Sequence, residues 1–207
     1  MVQYIVIRGA LSPDEVASLL AVANEMKRLG KGEKPQGFQN DQHALHWHRA
    51  YRDLVDHPLV SPILSQLCGS AFRLDHVNVH ARPATFPGGR LHGGDNPGGG
   101  NGFFGFRNGN FANGLVSVTY ELEDTDCNPA GGGFCCIPGS HKANVNLPDK
   151  YRNLNDYIDE NVRPIGCKAG DCIVFTEALS ECVASARRIH SVCLAWGFDS
   201  AATFCVT

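Results

Sequence analysis

Eleven of the 23 glycines in this 207-residue chain fall between Gly88 and Gly114, and this cluster limits the fold that the chain can adopt. Glycine weakens helices and strands alike, so the cluster cannot be regular structure throughout. Long loops inside a compact domain are usually functional or mobile. Short apolar segments typical of strands flank the cluster, among them residues 115–122 and 172–176. The pattern predicts a mainly β domain with flanking N-terminal helices (an α+β arrangement), built on a jelly-roll-like double sheet.

Helix signals come first along the chain and strand signals dominate later. Residues 4–8 alternate as in a strand, and Ser12-Pro13-Asp14-Glu15 is a capping box that predicts a helix to about residue 29. A further helix is predicted over residues 59–67 and a further strand over residues 72–81. The sequence has no repeats and no domain-splitting linker, so we expect a single domain over residues 1–207.

The bulk composition excludes several classes of partner. A net charge of −3 with scattered Lys and Arg offers no basic face for nucleic acid. No apolar run approaches the length needed to cross a bilayer, and the N-terminus is not a secretory signal. We therefore expect a cytoplasmic protein that binds neither nucleic acid nor membrane; the oligomeric state is left open.

The chain has nine cysteines, an odd number, and none forms a Cys-x-x-Cys pair. Neither a zinc ribbon nor a closed disulfide framework is indicated by this pattern. Free cysteine is among the most buried residue types, so we expect reduced thiols that pack as small hydrophobic groups.

One glycine-rich stretch, Leu91-His92-Gly93-Gly94-Asp95, places an imidazole and a carboxylate on the same loop. A second motif, Phe175-Thr176-Glu177-Ala178-Leu179, follows about eighty residues later at the end of an apolar strand. A 2-His-1-carboxylate iron site is assembled from such a loop and a ligand on a distant strand, and it leaves one face of Fe(II) open. The two motifs therefore indicate a candidate metal site.

Several motifs occur together in a characteristic order. They are Tyr4-Ile5-Val6-Ile7-Arg8-Gly9, Leu74-Asp75-His76, Leu91-His92-Gly93-Gly94, Gly132-Gly133-Phe134, Pro138-Gly139-Ser140-His141-Lys142 and the motif from Phe175 to Leu179. This set, over about residues 1–179, resembles the phytanoyl-CoA dioxygenase family of Fe(II)- and 2-oxoglutarate-dependent oxygenases. The resemblance implies a double-stranded β-helix that binds Fe(II) and the cosubstrate 2-oxoglutarate. It also implies an enzyme that hydroxylates a small organic substrate.

The resemblance implies that His92 is the first metal ligand, because it stands at the histidine position of the family's loop motif. The carboxylate position departs from the pattern: Gly94 stands where many members have Asp or Glu, and Asp95 comes one residue later. Asp95 can bend back to the metal, or it can only begin the turn before Pro97. A third alternative is a halide site opened by the small Gly94, as in related iron halogenases.

After Leu179 the chain departs further from the family pattern. That pattern calls for a second metal histidine directly after Ser180, where this chain has Glu181. It also calls for an arginine about ten residues later, whose planar guanidinium pairs with the distal carboxylate of 2-oxoglutarate. The candidates that the sequence offers are Glu181 and His190 for the metal, and Arg187 and Arg188 for the cosubstrate.

Two explanations for this departure stay open. Either the chain is a divergent member that uses Glu181 or His190, or the sequence after Leu179 is not the ancestral strand. A shifted reading frame or a misplaced splice junction would produce the second case, and residues 182–207 lack the aromatic and basic strand that usually closes the barrel. Sequencing the transcript across the Leu179 codon distinguishes the two.

Substrate contacts are expected from two places. His76 and His80 share one face of the strand over residues 72–81, and Gly93 and Gly94 flank the first metal ligand. We expect these four residues to line the substrate pocket. The rival hypotheses are a catalytically impaired or non-enzymatic β-helix protein that binds no iron, and a cupin-like metal-binding module with a different reaction.

Overall fold

The structure is a computed structural model that describes a large part of the chain. The described residues are 3–28, 33–34, 37–41, 44–69, 71–82, 88–93, 104–125, 127, 132–143, 145, 147–149, 152, 160–184 and 189–198. Some of these, including residues 33–34, 37–41 and 189–198, are described by their backbone alone.

The described α-helices all lie before residue 70, and a short 3-10 helix follows at Ser140–Lys142. The α-helices are α1 (Pro13–Arg28), α2 (Ala44–Trp47), α3 (Arg49–Asp53) and α4 (Ser61–Cys68). The predicted capping box starts α1: the Ser12 backbone N–H donates to the Glu15 carboxylate at 2.7 Å, and the Glu15 N–H donates to the Ser12 hydroxyl at 3.3 Å. Two otherwise unsatisfied donors at the helix N-terminus are thereby paired.

The described strands form two larger sheets and a hairpin. In chain order the strands are β1 (Tyr4–Ile7), β2 (Glu33–Lys34), β3 (Gly37–Asp41), β4 (Phe72–Arg82), β5 (Phe104–Arg107), β6 (Asn110–Asn113), β7 (Leu115–Glu121), β8 (Gly133–Cys136), β9 (Arg163–Pro164), β10 (Cys172–Thr176), β11 (Glu181–Ala184) and β12 (Ile189–Phe198). The major sheet has the order β1-β10-β7-β12-β4-β3-β2 and the minor sheet the order β11-β8-β9. All of these neighbours pair antiparallel.

The segment after the departure from the family pattern forms a central strand. β12 pairs with β7 on one side and with β4 on the other. The sequence was expected to lack the aromatic and basic strand that usually closes the barrel. A strand is present in this segment, but it contains no Lys or Arg. Residues such as Ile189, Val192 and Trp196 have high strand propensity, which suits a position between two neighbours.

The glycine cluster contains regular structure as well as loop. β5 and β6 form a hairpin inside it, closed by Asn108 and Gly109, whose φ values are both positive at 53° and 82°. Positive φ at both central residues is the geometry of a type I′ turn, for which Asn-Gly is the preferred sequence. Residues 104–113 are therefore regular structure, which is consistent with the expectation that the cluster is not regular throughout.

Alternating side chains of β10 build two separate cores. Cys172 and Val174 belong to the core between the major sheet and the helices, together with Leu19, Met26, Tyr51, Val118 and Tyr120 among others. Ile173 and Phe175 point the other way and pack with Phe134 and Cys136 of β8, between the two sheets. The sheets are thus packed face to face, as in a jelly roll.

The seven cysteines whose side chains the structure describes form no disulfide, and six of them are buried. Cys127 is exposed, so the expectation of buried thiols does not hold for this residue. No described helix combines the length and the apolar character that a bilayer span requires.

Candidate functional site

His92 and Glu181 face each other across a β-bridge at the edge of the minor sheet. The backbone N–H of each residue donates to the carbonyl of the other, at 2.9 and 2.8 Å. Their side chains therefore leave the same face of the sheet, and His92 Nε2 lies 2.8 Å from Glu181 Oε1. The position that departs from the family pattern thus lies directly beside the predicted first ligand.

The environment of this pair is asymmetric. The Glu181 side chain is only 7% exposed, whereas that of His92 is 59% exposed. The hydrogen bond to Glu181 raises the pKa of His92 to about 9, against the opposing effect of burial. His92 Nδ1 lies 2.9 Å from the carbonyl oxygen of Arg90, to which it donates, so the ring is held with Nε2 directed at Glu181.

Gly93 permits the close approach of the two chain segments that carry the pair. Its φ is +90°, and a Cβ built on it would lie 2.1 Å from the Leu179 carbonyl oxygen and 2.7 Å from that of Glu177. No side chain fits such a space, so residue 93 must be glycine for His92 to meet Glu181. Gly93 was expected to line a substrate pocket, and that role stays a prediction; the structure gives it this packing role.

Glu177 is a second acidic group in the same region, and no role was predicted for it from the sequence. The Ser117 hydroxyl on β7 donates to its carboxylate, and its backbone N–H donates to Leu115 at 3.0 Å. Burial raises the pKa of Glu177, and the negative charge of Glu181 adds to this increase. An acid at the end of a buried apolar strand was the signal in the sequence that could have identified it.

The other predicted site residues are described to different extents. His76 lies on β4, where its Nδ1 is 2.8 Å from Asp75, and His80 lies on the same strand. The backbone of His190 lies in β12 opposite Ala81, and its side chain is not described. Four predicted residues lie outside the described part of the chain, namely Gly94, Asp95, Arg187 and Arg188. Their predicted roles stay predictions.

A cavity of about 510 Å³ adjoins His92. Its lining includes Arg90, Arg152 and Asp149, and Arg152 Nε lies 3.1 Å from the Asp149 carboxylate. The backbone carbonyl of Arg152 also accepts the Leu91 N–H at 2.8 Å. This hydrogen bond attaches the backbone at residue 152 to the loop that carries His92. Neither arginine was singled out from the sequence, because nothing local links position 152 to position 91.

The Pro138-Gly139-Ser140-His141-Lys142 motif supports the site from the other side. The Ser140 hydroxyl accepts the backbone N–H of Ser180 at 2.8 Å, directly before Glu181. His141 is 4% exposed, and its ring lies edge-on to Phe104 with centroids 4.8 Å apart. Burial lowers the pKa of His141, so the imidazole is neutral. The motif anchors the chain that carries Glu181.

The donor atoms can be compared with the requirements of a mononuclear site. Among the residues that the structure describes, no three His, Cys, Asp or Glu side chains come together as a metal-binding group. Two such side chains do come together, namely His92 and Glu181. Adjacent ligand atoms of an octahedral ion with bonds of about 2.1 Å lie about 3 Å apart. The distance between His92 Nε2 and Glu181 Oε1 is 2.8 Å. The pair therefore fits as two adjacent ligands, and a third must come from elsewhere.

The mainly β fold with N-terminal helices is a double-stranded β-helix of the jelly-roll type, as the sequence predicted. A family model, Phytanoyl-CoA dioxygenase (PhyH), matches residues 4–180. The chain belongs to this family, which confirms the resemblance seen in the motifs. A comparison with curated protein sequences gives no match.

Solved structures with a similar fold include a 2-oxoglutarate complex, an epimerase and a carbocyclase. HygX from Streptomyces hygroscopicus, with nickel and 2-oxoglutarate bound, superposes with a TM-score of 0.80 at 19% identity, over 96% of this chain and 84% of that one. The α-ketoglutarate-dependent epimerase SnoN from nogalamycin biosynthesis gives 0.67 at 19% identity, over 95% and 79%. The carbocyclase SnoK from the same pathway gives 0.68 at 18% identity, over 95% and 80%. At these identities the likeness confirms the predicted fold.

Proposed function

We propose that this chain is an Fe(II)- and 2-oxoglutarate-dependent dioxygenase that hydroxylates a small organic substrate. Membership of the phytanoyl-CoA dioxygenase family supports the class. HygX has been solved with iron and, in another structure, with 2-oxoglutarate, which supports the same cofactors for this chain. The observation that carries the proposal is the 2.8 Å distance between His92 and Glu181, the two residues that the resemblance places at ligand positions.

His92 and Glu181 are the two ligands that we assign to the ferrous ion. His92 offers Nε2, because Nδ1 is engaged by the Arg90 carbonyl. Glu181 offers a carboxylate oxygen in place of the family's second imidazole. Asp95 is our candidate for the third ligand; His190 is the alternative to Glu181. Arg187 and Arg188 are the candidates that pair with the distal carboxylate of 2-oxoglutarate.

When bound, the iron and its cosubstrate supply the oxidising chemistry. The residues of this chain hold and orient the reactants. The Arg90 carbonyl fixes the His92 ring, and the Ser140 hydroxyl fixes the backbone before Glu181. The cavity beside His92 provides room for a small substrate. His76, His80 and Gly93 are not among the residues that line it, so these three residues and Gly94 stay predictions for the substrate pocket. Removing a group that orients a metal ligand typically lowers metal affinity or activity by about 10–100-fold.

An anaerobic titration tests the proposal. Adding Fe(II) and then 2-oxoglutarate to the purified chain is expected to produce a visible charge-transfer band that neither component gives alone. The band should be lost in His92→Ala and kept in His46→Ala, a histidine exposed on α2. A wild-type chain that folds but gives no band would contradict the proposal.

A second candidate function is a non-enzymatic member of the family that binds no iron. It is favoured by one observation: Glu181 is paired directly with His92, at 2.8 Å. Under this alternative the ion pair is purely structural. His92→Ala would then lower the melting temperature without altering metal uptake, which would be absent from both proteins.

A further inference from the structure

We propose that Cys135 and Cys182 form an oxidative modification site, in which the two thiols are converted to a cross-strand disulfide. The two residues are direct neighbours on β8 and β11, and their sulfur atoms are 3.3 Å apart. Both side chains are buried, at 1% and 0% exposure. The inference does not depend on the proposed function.

The backbone geometry suits a disulfide. Cys135 and Cys182 are Cα partners in an antiparallel pair, where opposed Cα atoms are about 4.5–5.5 Å apart. Disulfides are formed between Cα atoms about 4.4–6.8 Å apart, so no strand has to move. The sulfur atoms must approach from 3.3 Å to about 2.05 Å, which a small rotation about the two Cα–Cβ bonds provides.

Cys136, the next residue on β8, lies on the opposite face of the strand from the Cys135–Cys182 pair. Cys135 and Cys182 lie with Leu91 and Val162 in one apolar cluster. Cys136 belongs to the other cluster, between the two sheets, because successive side chains of a strand point to opposite faces. Cys136 is therefore a matched control: it is adjacent in sequence, equally buried, and directed away from Cys182.

The oxidant that we assign is a small peroxide, such as hydrogen peroxide. One thiol attacks the peroxide oxygen, becomes a sulfenic acid and releases one water molecule. The second thiol attacks that sulfur, forms the S–S bond and releases a second water molecule. In total two thiols lose two hydrogen atoms and one peroxide is reduced to two waters. A small neutral oxidant is required because both thiols are buried.

The modification would act on the candidate metal site through the backbone. Cys182 directly follows Glu181, and Cys135 lies on the strand that β11 pairs with. A disulfide would fix β11 to β8 and would hold the Glu181 backbone in its present register. The oxidised protein is expected to unfold at a temperature several degrees higher than the reduced protein, because the bond closes a long loop between positions 135 and 182.

The test is mass spectrometry of the full chain after peroxide treatment in the folded state. The remaining thiols are alkylated under denaturing conditions, and the product is digested and mapped. We expect a loss of two hydrogen atoms and a cross-linked peptide that joins the β8 and β11 segments. The cross-link should be kept in Cys136→Ala and Cys172→Ala and should be lost in Cys135→Ala and in Cys182→Ala.

Circular dichroism establishes that each variant is folded before oxidation, and the higher melting temperature of the oxidised wild type is an independent readout. Absence of the cross-link from folded, peroxide-treated wild type would overturn the proposal. So would a cross-link that persists in folded Cys135→Ala, since it would then arise from Cys136 or from exchange with exposed Cys127.

Discussion

The exchange of an imidazole for a carboxylate at position 181 changes the chemistry of the candidate site. With His92, Glu181 and one further carboxylate, the donor set would contain one nitrogen in place of the family's two. Imidazole suits iron and nickel, whereas oxygen donors alone suit Mg²⁺, Ca²⁺ and Mn²⁺. The chain is therefore expected to bind late transition metals more weakly than a member with the complete family pattern.

Restoring a histidine at position 181 is expected to increase the affinity of the chain for a transition-metal ion. Glu181→His should tighten Ni(II) binding by about tenfold or more, because a nitrogen ligand replaces an oxygen ligand beside His92. Isothermal titration calorimetry measures the change. Glu160→His, at an exposed position, is the control and should leave the affinity unchanged. An unchanged or weaker affinity for Glu181→His would contradict the placement of residue 181 in the site.

A second prediction at the scale of single residues concerns Gly93. Gly93→Ala should destabilise the fold by about 2–6 kcal/mol, from backbone strain at positive φ together with overlap on the Leu179 carbonyl. Gly109→Ala is the matched control, since its φ is +82° and no atom lies within 4 Å of the place that a Cβ would occupy. Its cost should be about 1–2 kcal/mol. If urea unfolding showed the same loss of unfolding free energy for Gly93→Ala and Gly109→Ala, the close contact at Gly93 would be absent.

Among the elements, the junction of β1 with the turn before β10 depends on one carboxylate. Asp171 accepts the backbone N–H groups of Gly9 and Lys168 at 2.9 and 2.8 Å, and Arg8 donates to it at 2.6 Å. Burial alone would raise the pKa of Asp171, but these hydrogen bonds outweigh it and hold the pKa below its ordinary value. The ionised form is therefore the one that connects the two strands.

The lowered pKa of Asp171 predicts a loss of stability in acid. Its contribution is present above the ordinary aspartate pKa and is lost as the pH falls through the lower pKa of the folded state. Asp171→Asn should lower the free energy of unfolding by about 1.5–3 kcal/mol at neutral pH. The difference in this free energy between the variant and the wild type should become smaller towards low pH. Urea unfolding at a series of pH values measures it. Asp53→Asn, on an exposed ion pair, should change stability little at any pH.

Local signals explain which elements the sequence could predict. The capping box at Ser12 placed the start of α1, and the apolar run at residues 172–176 placed β10, because both depend on neighbouring residues. The hairpin at β5 and β6 also had a local signal, Asn108-Gly109, but it lay within a glycine cluster that suggested a loop. His92 was identified from its motif, whereas Glu177 and Arg152 depend on contacts between distant segments that no local pattern specifies.

At the scale of the whole molecule, the fold depends on the strand that follows the departure from the family pattern. β12 occupies the middle of the major sheet and joins the half formed by β1, β10 and β7 to the half formed by β4, β3 and β2. Without it, two sheet edges would be left unpaired inside the protein. The hypothesis of a shifted reading frame after Leu179 stays untested by the structure, and sequencing of the transcript across the Leu179 codon tests it.

Removal of β12 should prevent folding. A chain that ends at Ala184 is expected to show no cooperative thermal transition by circular dichroism, because the major sheet would be divided. A chain that ends at Phe198 keeps every described strand and should retain the transition. If the shorter chain unfolded cooperatively at the wild-type temperature, β12 would not be the central strand.

The central claim is that His92 and Glu181 hold a metal ion together, and Ni(II) titration of the wild type and three variants tests it most directly. Calorimetry should show one bound ion per wild-type chain, with affinity reduced at least about 100-fold in His92→Ala and clearly reduced in Glu181→Gln. His46→Ala should match the wild type. Unchanged Ni(II) affinity in His92→Ala would contradict the account.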